Sequence, residues 1–149
     1  MQPWQPPPGD RFATLVPELA VTDLAASLRF WCGLLGFRVV YDRPERAFAY
    51  LERGGAQVML ETCHGVWETG PLERPFGRGI NFQIFVEDLE PLRDALASTN
   101  WPLFEAMAEA WYRVGDQEVG QRQLLVQDPD GYLLRFAQSL GSRPCRKRQ

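Results

Sequence analysis

Hydrophobic residues along this chain follow two periods, and the places where the period changes mark out its elements. Residues 12–21 alternate as a strand does: Leu15, Leu19 and Val21 share one face, and Val16, Glu18 and Ala20 share the other. Pro17 interrupts that strand. It has no N–H to give a ladder, so the strand lies at an edge or changes partners there. At Asp23, a residue suited to cap a helix, the period lengthens. Leu24, Leu28, Trp31 and Leu35 form one apolar stripe at helical spacing, and Gly36 stops it. Strand patterns return over residues 37–42, 47–52 and 56–62, with Gly54-Gly55 as the turn between the last two. The stretch 64–79 holds Gly65, Gly70, Pro71, Pro75, Gly77 and Gly79, and reads as a long loop.

The order then repeats. Ile80, Phe82, Ile84 and Val86 line one face of a strand over 80–86, and Asp88 caps a helix carrying Leu89, Leu92 and Leu96. Strands follow near 103–109, 112–115, 121–127 and 132–138. Val21-Thr-Asp-Leu recurs as Val86-Glu-Asp-Leu at an offset of 65 residues. The chain is therefore expected to be α+β, with two βαβββ repeats over about 12–64 and 80–139 and a linker over 65–79. Two such repeats side by side make an eight-stranded curved sheet, with helices on its convex face and a concave cleft. The last two strands flank Asp128-Pro129-Asp130-Gly131, where Pro fixes φ and Gly accepts the positive φ that closes a turn. In the final strand Leu134 and Phe136 point one way, and Leu133, Arg135 and Ala137 the other. An arginine on a face of Leu and Ala either snorkels to an edge or projects into a polar cleft.

Length and composition narrow the class. A chain of 149 residues, 45% of them hydrophobic, builds one domain with a real core. No apolar run approaches a membrane span or a signal peptide, so a cytoplasmic protein is expected. Residues 1–11, with Pro3, Pro6, Pro7 and Pro8, read as a flexible leader. Cys32, Cys63 and Cys145 lack the close spacing of a zinc or redox site and read as reduced thiols. The net charge of −3 hides a basic tail over 140–149, where Arg143, Arg146, Lys147 and Arg148 leave −7 on the rest. An acidic body disfavours nucleic acid and favours cationic ligands, and the tail reads as a solvated, frayed terminus. No nucleophile elbow or phosphate loop is present. Alternation puts Glu61 and Cys63 on one face and sends the single histidine, His64, the other way or into the loop.

Four segments resemble the glyoxalase/bleomycin-resistance/extradiol-dioxygenase group, the vicinal-oxygen-chelate superfamily. They are V-x-D-L-x-x-S-L-x-F-W-x-x-L-L-G-F at 21–37, V-M-L-E at 58–61, F-V-E-D-L at 85–89 and the hairpin D-P-D-G-Y-L-L-R-F at 128–136. The resemblance covers about 14–139. Within the group the chain is most similar to the bleomycin resistance proteins, which share a proline in the first strand, an M-L-E end to the fourth strand and L-L-R after the turn. The resemblance implies a homodimer in which the first strand is exchanged between chains, with Pro17 as the swap hinge.

The resemblance also says where a metal would sit. Metal-dependent members place four ligands on inward positions of four strands. Those positions fall here at Val16, at Met59 or its same-face neighbour Glu61, at Asn81 and at Arg135. Val16 has no donor atom, Asn81 is a poor neutral ligand, and Arg135 is a permanent cation. No metal, no cofactor and no catalytic residue are therefore expected. The reading that follows is a metal-free antibiotic-binding protein of the bleomycin-resistance type. It would sequester a small molecule in clefts at a homodimer interface, with no nucleic-acid or membrane partner. The alternative is a glyoxalase- or dioxygenase-like enzyme acting on another small molecule. The expected ligand-binding residues are Glu18, Met59, Glu61, Asn81, Gln83 and Arg135 on the cleft face, with Trp67, Trp111 and Tyr112 closing over it. Carboxylates such as Glu61, Glu68 and Glu73 suit a cationic glycopeptide. One departure stands out. Bleomycin resistance proteins carry a Trp-Gly pair before the penultimate strand where this chain has Val119-Gly120, so a stacking group is missing or has moved to Trp111.

Overall fold

The structure, a computed structural model, describes residues 11–146; the proline-rich stretch 1–10 and the tail residues Lys147, Arg148 and Gln149 lie outside the described residues. The chain divides into two compact units between Pro71 and Leu72, inside the expected linker. The first unit contains β1 (Glu18–Val21), α1 (Leu24–Trp31), β2 (Arg38–Arg43), β3 (Phe48–Arg53) and β4 (Ala56–Thr62). Its sheet has the order β1-β4-β3-β2, with β1 parallel to β4 and the other pairs antiparallel. Alternate residues of these strands, Leu19, Val21, Ala49, Leu51, Val58 and Leu60, are buried, as are Phe30, Trp31 and Leu35 of the helix and the turn after it. Each of the Leu, Val and Phe side chains among them contributes about 1.5–3 kcal/mol on leaving water. Trp31 meets Phe37 edge-on at 5.1 Å between centroids. The Asp23 carboxylate caps α1, accepting from the Ala26 N–H at 3.1 Å.

The first strand is much shorter than its alternation suggests. The ladder starts only at Glu18, because Pro17 cannot donate; its carbonyl accepts from Met59 N at 2.8 Å and pairing stops there. Residues 11–16 run instead over the sheet face opposite the helix. Phe12 lies 5.3 Å from the Tyr50 ring, and the Gln57 side chain accepts from Ala13 N at 2.7 Å and donates to the Arg11 carbonyl.

The second unit repeats the plan with β5 (Asn81–Phe85), α2 (Glu90–Ser98), β6 (Leu103–Val114), β7 (Gln117–Gln127) and β8 (Leu133–Pro144). Its sheet order, β5-β8-β7-β6, matches the first element for element, so each unit is one βαβββ repeat with a four-stranded mixed sheet. Leu89, Leu92, Leu96, Leu124, Val126, Leu134 and Phe136 form its buried core. The two strands expected over 103–115 are a single strand, β6, whose register shifts absorb the irregular pattern. The final strand does not end near residue 138. It continues to Pro144, where Arg143 pairs with Glu118 at 2.8 Å and lies 3.8 Å from the Trp111 ring centroid. The first residues of the expected tail are therefore strand, held by an ion pair and a cation–π contact.

The turn between β7 and β8 is built from its aspartates. Asp128 Oδ1 accepts from Asp130 N at 3.0 Å and Tyr132 N at 2.9 Å, and Arg74 reaches Asp130 Oδ1 at 3.0 Å. Gly131 sits at φ +98, and a Cβ there would lie 2.6 Å from the Pro75 Cα. No helix among the described residues is long and apolar enough to cross a membrane.

Candidate ligand site

In the first unit the parallel register Glu18↔Met59 and Ala20↔Glu61 puts Glu18 and Glu61 on the same sheet face, opposite α1. The chain leaves β4 at Thr62 and turns at Gly65, whose φ is +76. That turn brings His64 back: its Nε2 lies 3.2 Å from Glu61 Oε2. Strand alternation sent His64 away from Glu61; the ladder ends at Thr62, so alternation no longer governs His64. The His64 Nδ1 accepts from Val66 N at 3.0 Å, so Nε2 is the ring nitrogen that faces the Glu61 carboxylate. Arg46 approaches Glu61 from the other side, Nε to Oε1 at 3.5 Å.

Glu18, Glu61 and His64 line a cavity of about 120 Å³ with Ala20, Trp67 and Glu68. Trp67 is 84% exposed and holds a positive φ of 64. Its indole stands at the cavity mouth rather than in a core. The two carboxylates respond oppositely to their setting. Burial, a hydrogen bond with Glu61 and the Glu61 charge push the Glu18 carboxyl up. Burial also opposes the charge on Glu61, which is only 7% exposed, but hydrogen bonds with Glu18 and His64 and the charges of His64 and Arg46 outweigh it and hold Glu61 down. The two shifts run in opposite directions, so between their titrations the pair holds one proton, on the Glu18 side.

Glu18, Glu61 and His64 each offer one donor atom, all within 4.8 Å of one another. Donors at that spacing have the chemistry to receive a compact cation, an ammonium or a metal ion. They are not the four-strand set carried over from the resemblance. At those positions Val16 offers only carbon, and Arg135 brings a guanidinium whose Nε is buried without a hydrogen-bond partner. A four-ligand metal centre does not fit there.

The second unit has its own polar face. Register and alternation put Asn81, Gln83 and Phe85 of β5, Leu133, Arg135 and Ala137 of β8, and Gln121, Gln123 and Leu125 of β7 on one side. Tyr112 of β6 joins them, its hydroxyl donating to Gln123 Oε1 at 3.1 Å. Trp111, one residue earlier, takes the opposite face. Its ring lies across Gly120, where a Cβ would come within 2.6 Å of it, and its Nε1 donates to Glu109 Oε1 at 2.6 Å. Trp111 therefore does not share a face with Arg135, and the Gly120 of the Val119-Gly120 pair serves to receive the indole.

Of the expected ligand residues, the structure gathers Glu18, Glu61 and Trp67 at one cavity in the first unit. Met59 is half-buried on the same face, beside Tyr50 in the register. Asn81, Gln83, Tyr112 and Arg135 share the open face of the second unit. The sequence reading missed His64 and Arg46 as partners of Glu61. The one available signal for His64 was Gly65 directly after it, marking a chain reversal within reach of Glu61.

The model of the Glyoxalase/Bleomycin resistance protein/Dioxygenase superfamily matches residues 11–136. A member of that superfamily from Vibrio splendidus 12B01 is 39% identical over 83% of this chain and 95% of that one, with a TM-score of 0.39. TioX from Micromonospora sp. ML1 is 22% identical over 87% of this chain and 100% of that one, with a TM-score of 0.67. The fosfomycin resistance protein FosX from Listeria monocytogenes is 15% identical over 85% and 91%, with a TM-score of 0.59. The last two share the fold. No curated protein is a significant match. With its duplicated βαβββ unit and a family match over most of its length, the chain belongs to the Glyoxalase/Bleomycin resistance protein/Dioxygenase superfamily.

Proposed function

We propose that this chain is a small-molecule binding protein of the bleomycin-resistance type, which sequesters a cationic antibiotic without converting it. The observation that carries the reading is the acidic cavity of Glu18, Glu61 and His64 with the exposed indole of Trp67 beside it. A cavity of about 120 Å³ is well below the few hundred Å³ that enclose a drug-sized molecule, so it takes one charged group of a larger ligand. Trp67 then stacks on the flat body next to that group. The protein acts as a homodimer. The brevity of β1, cut off at Pro17, supports exchange of that strand between two chains. A fosfomycin resistance protein among the structural neighbours supports a role in antibiotic resistance.

The test is calorimetric titration with metal-free and copper-loaded bleomycin, beside a thermal-shift panel of other cationic antibiotics. Stoichiometric binding is expected, weakened at least about tenfold by E61Q, as for loss of a charged hydrogen-bond partner. No binding by any member of the panel, or binding indifferent to E61Q, overturns the reading. Sedimentation velocity checks the dimer.

One observation favours a second reading, an enzyme of the superfamily that uses a metal. The three donors lie close enough to share an ion. Titration with zinc and manganese, followed by assay on a methylglyoxal–thiol adduct, separates the two. Tight binding lost in H64A, together with turnover, selects the enzyme.

A further inference from the structure

Arg135 occupies the middle of β8, opposite Gln83 on β5 and Leu125 on β7. Its diagonal neighbours on that face are Asn81, Phe85, Gln123 and Gln127, all uncharged. No carboxylate among the described residues forms an ion pair with it, although Arg38, Arg46, Arg74, Arg78, Arg93, Arg122 and Arg143 all have one. Its Nε is buried and has no hydrogen-bond partner. A charged donor withdrawn from water and left unbonded is costly, and native proteins keep few of them.

The surrounding amides are arranged to donate as well. Gln121 Nε2 gives its two hydrogens to Gln83 Oε1 at 3.2 Å and Gln123 Oε1 at 2.8 Å. Tyr112 adds a third donor, again to Gln123 Oε1. The acceptor oxygens of Gln83 and Gln123 are thus engaged, which leaves their NH₂ groups as donors on the same sheet face as the guanidinium. Phe85, 60% exposed on the same face, offers an apolar surface next to them.

We propose that Arg135, with the side-chain amides of Gln83 and Gln123, forms a subsite for an oxyanion: the carboxylate, phosphate or phosphonate group of a small organic ligand. The guanidinium fork matches two oxygens of such a group, the amides take the remaining lone pairs, and the ligand's body lies on Phe85. This goes beyond the proposed cation-binding role, since it uses other residues, in the second unit, and selects the opposite charge.

The test reads Arg135 itself. In ¹H–¹⁵N spectra the Arg135 Nε–Hε signal is assigned by its loss in R135K, and the protein is titrated with phenylphosphonate, benzoate and benzylammonium. A saturable shift of that signal with one or both anions, and none with benzylammonium, is expected; which anion binds tighter separates a tetrahedral from a planar ligand group. R135K weakens binding about tenfold or more, by loss of the fork. Q83L, at an exposed position, weakens it severalfold and serves if R135K does not fold. An unmoved Nε–Hε signal up to saturating anion, or an equal response to benzylammonium, overturns the proposal. Failure of the cavity reading shows separately, as antibiotic titrations indifferent to E61Q.

Discussion

The His64 Nε2 lies 3.2 Å from the Glu61 Oε2, three residues back along the chain and past the end of its strand. The contact ties the loop after β4 to the one buried carboxylate of the first unit's cavity, and it helps to hold Glu61 ionised against its burial. H64A should raise the Glu61 pKa, followed by carboxyl ¹³C shifts against pH. In acid, near the ordinary 4.5, it should also weaken binding of a cationic ligand, because more of Glu61 is then protonated and no longer attracts the ligand's charge. A Glu61 titration unchanged in H64A would leave Arg46 and Glu18 as its whole support.

The Glu18–Glu61 pair sets a pH optimum for its own contribution to stability. Glu18 is raised above the ordinary 4.5, so its contribution is present below that value and is lost as pH rises through its folded pKa. Glu61 is lowered below 4.5, so its contribution is present above that value and is lost as pH falls through its folded pKa. The pair is most favourable between the two, with one proton shared. E18Q, a permanent mimic of the protonated form, should remove the loss on the alkaline side, seen as a flatter Tm–pH profile above 4.5. Glu18 is exposed, so the gain is well under about 1 kcal/mol.

Gly131 carries both a left-handed backbone and a close neighbour. G131A would place its Cβ 2.6 Å from Pro75 Cα at a φ of +98, so the clash is with backbone that cannot swing away. A loss of at least about 2 kcal/mol in urea unfolding is expected. A loss below about 0.5 kcal/mol, inside the range of an ordinary surface change, would show that the 72–79 segment yields freely.

Ser27 is fully buried in α1 and its Oγ has no partner. S27A removes an unsatisfied hydroxyl and adds the best helix former, so it should raise stability by about 1 kcal/mol. Destabilisation instead would reveal a bond that the hydroxyl makes in solution.

The repeat, the element order and the Asp128–Gly131 turn were legible because each rests on local chemistry: period, caps and turn residues. What escaped depends on where a strand stops. Alternation could not say that β1 begins only after Pro17, or that His64 folds back after Thr62. Nor did charge alone show that Arg143 belongs to a strand, since its partners Glu118 and Trp111 are distant in sequence. Arg135 stands out in the sequence as a cation on an apolar-looking face. The structure adds what no pattern contains, that its buried Nε is unbonded.

Both sheets end in an outer antiparallel strand, β2 in one and β6 in the other. Each carries a break in register: Val39/Tyr41 in β2, and Leu103/Glu105 and Glu105/Ala108 in β6. A smooth rim of unpaired amides is a template onto which another chain can be laid, and these kinks, with Glu105 and Glu109 along β6, spoil the template. The same irregularities that hid β6 from a simple period thus guard the protein against fibril growth, and deleting a residue to straighten that rim would be the way to lose the protection.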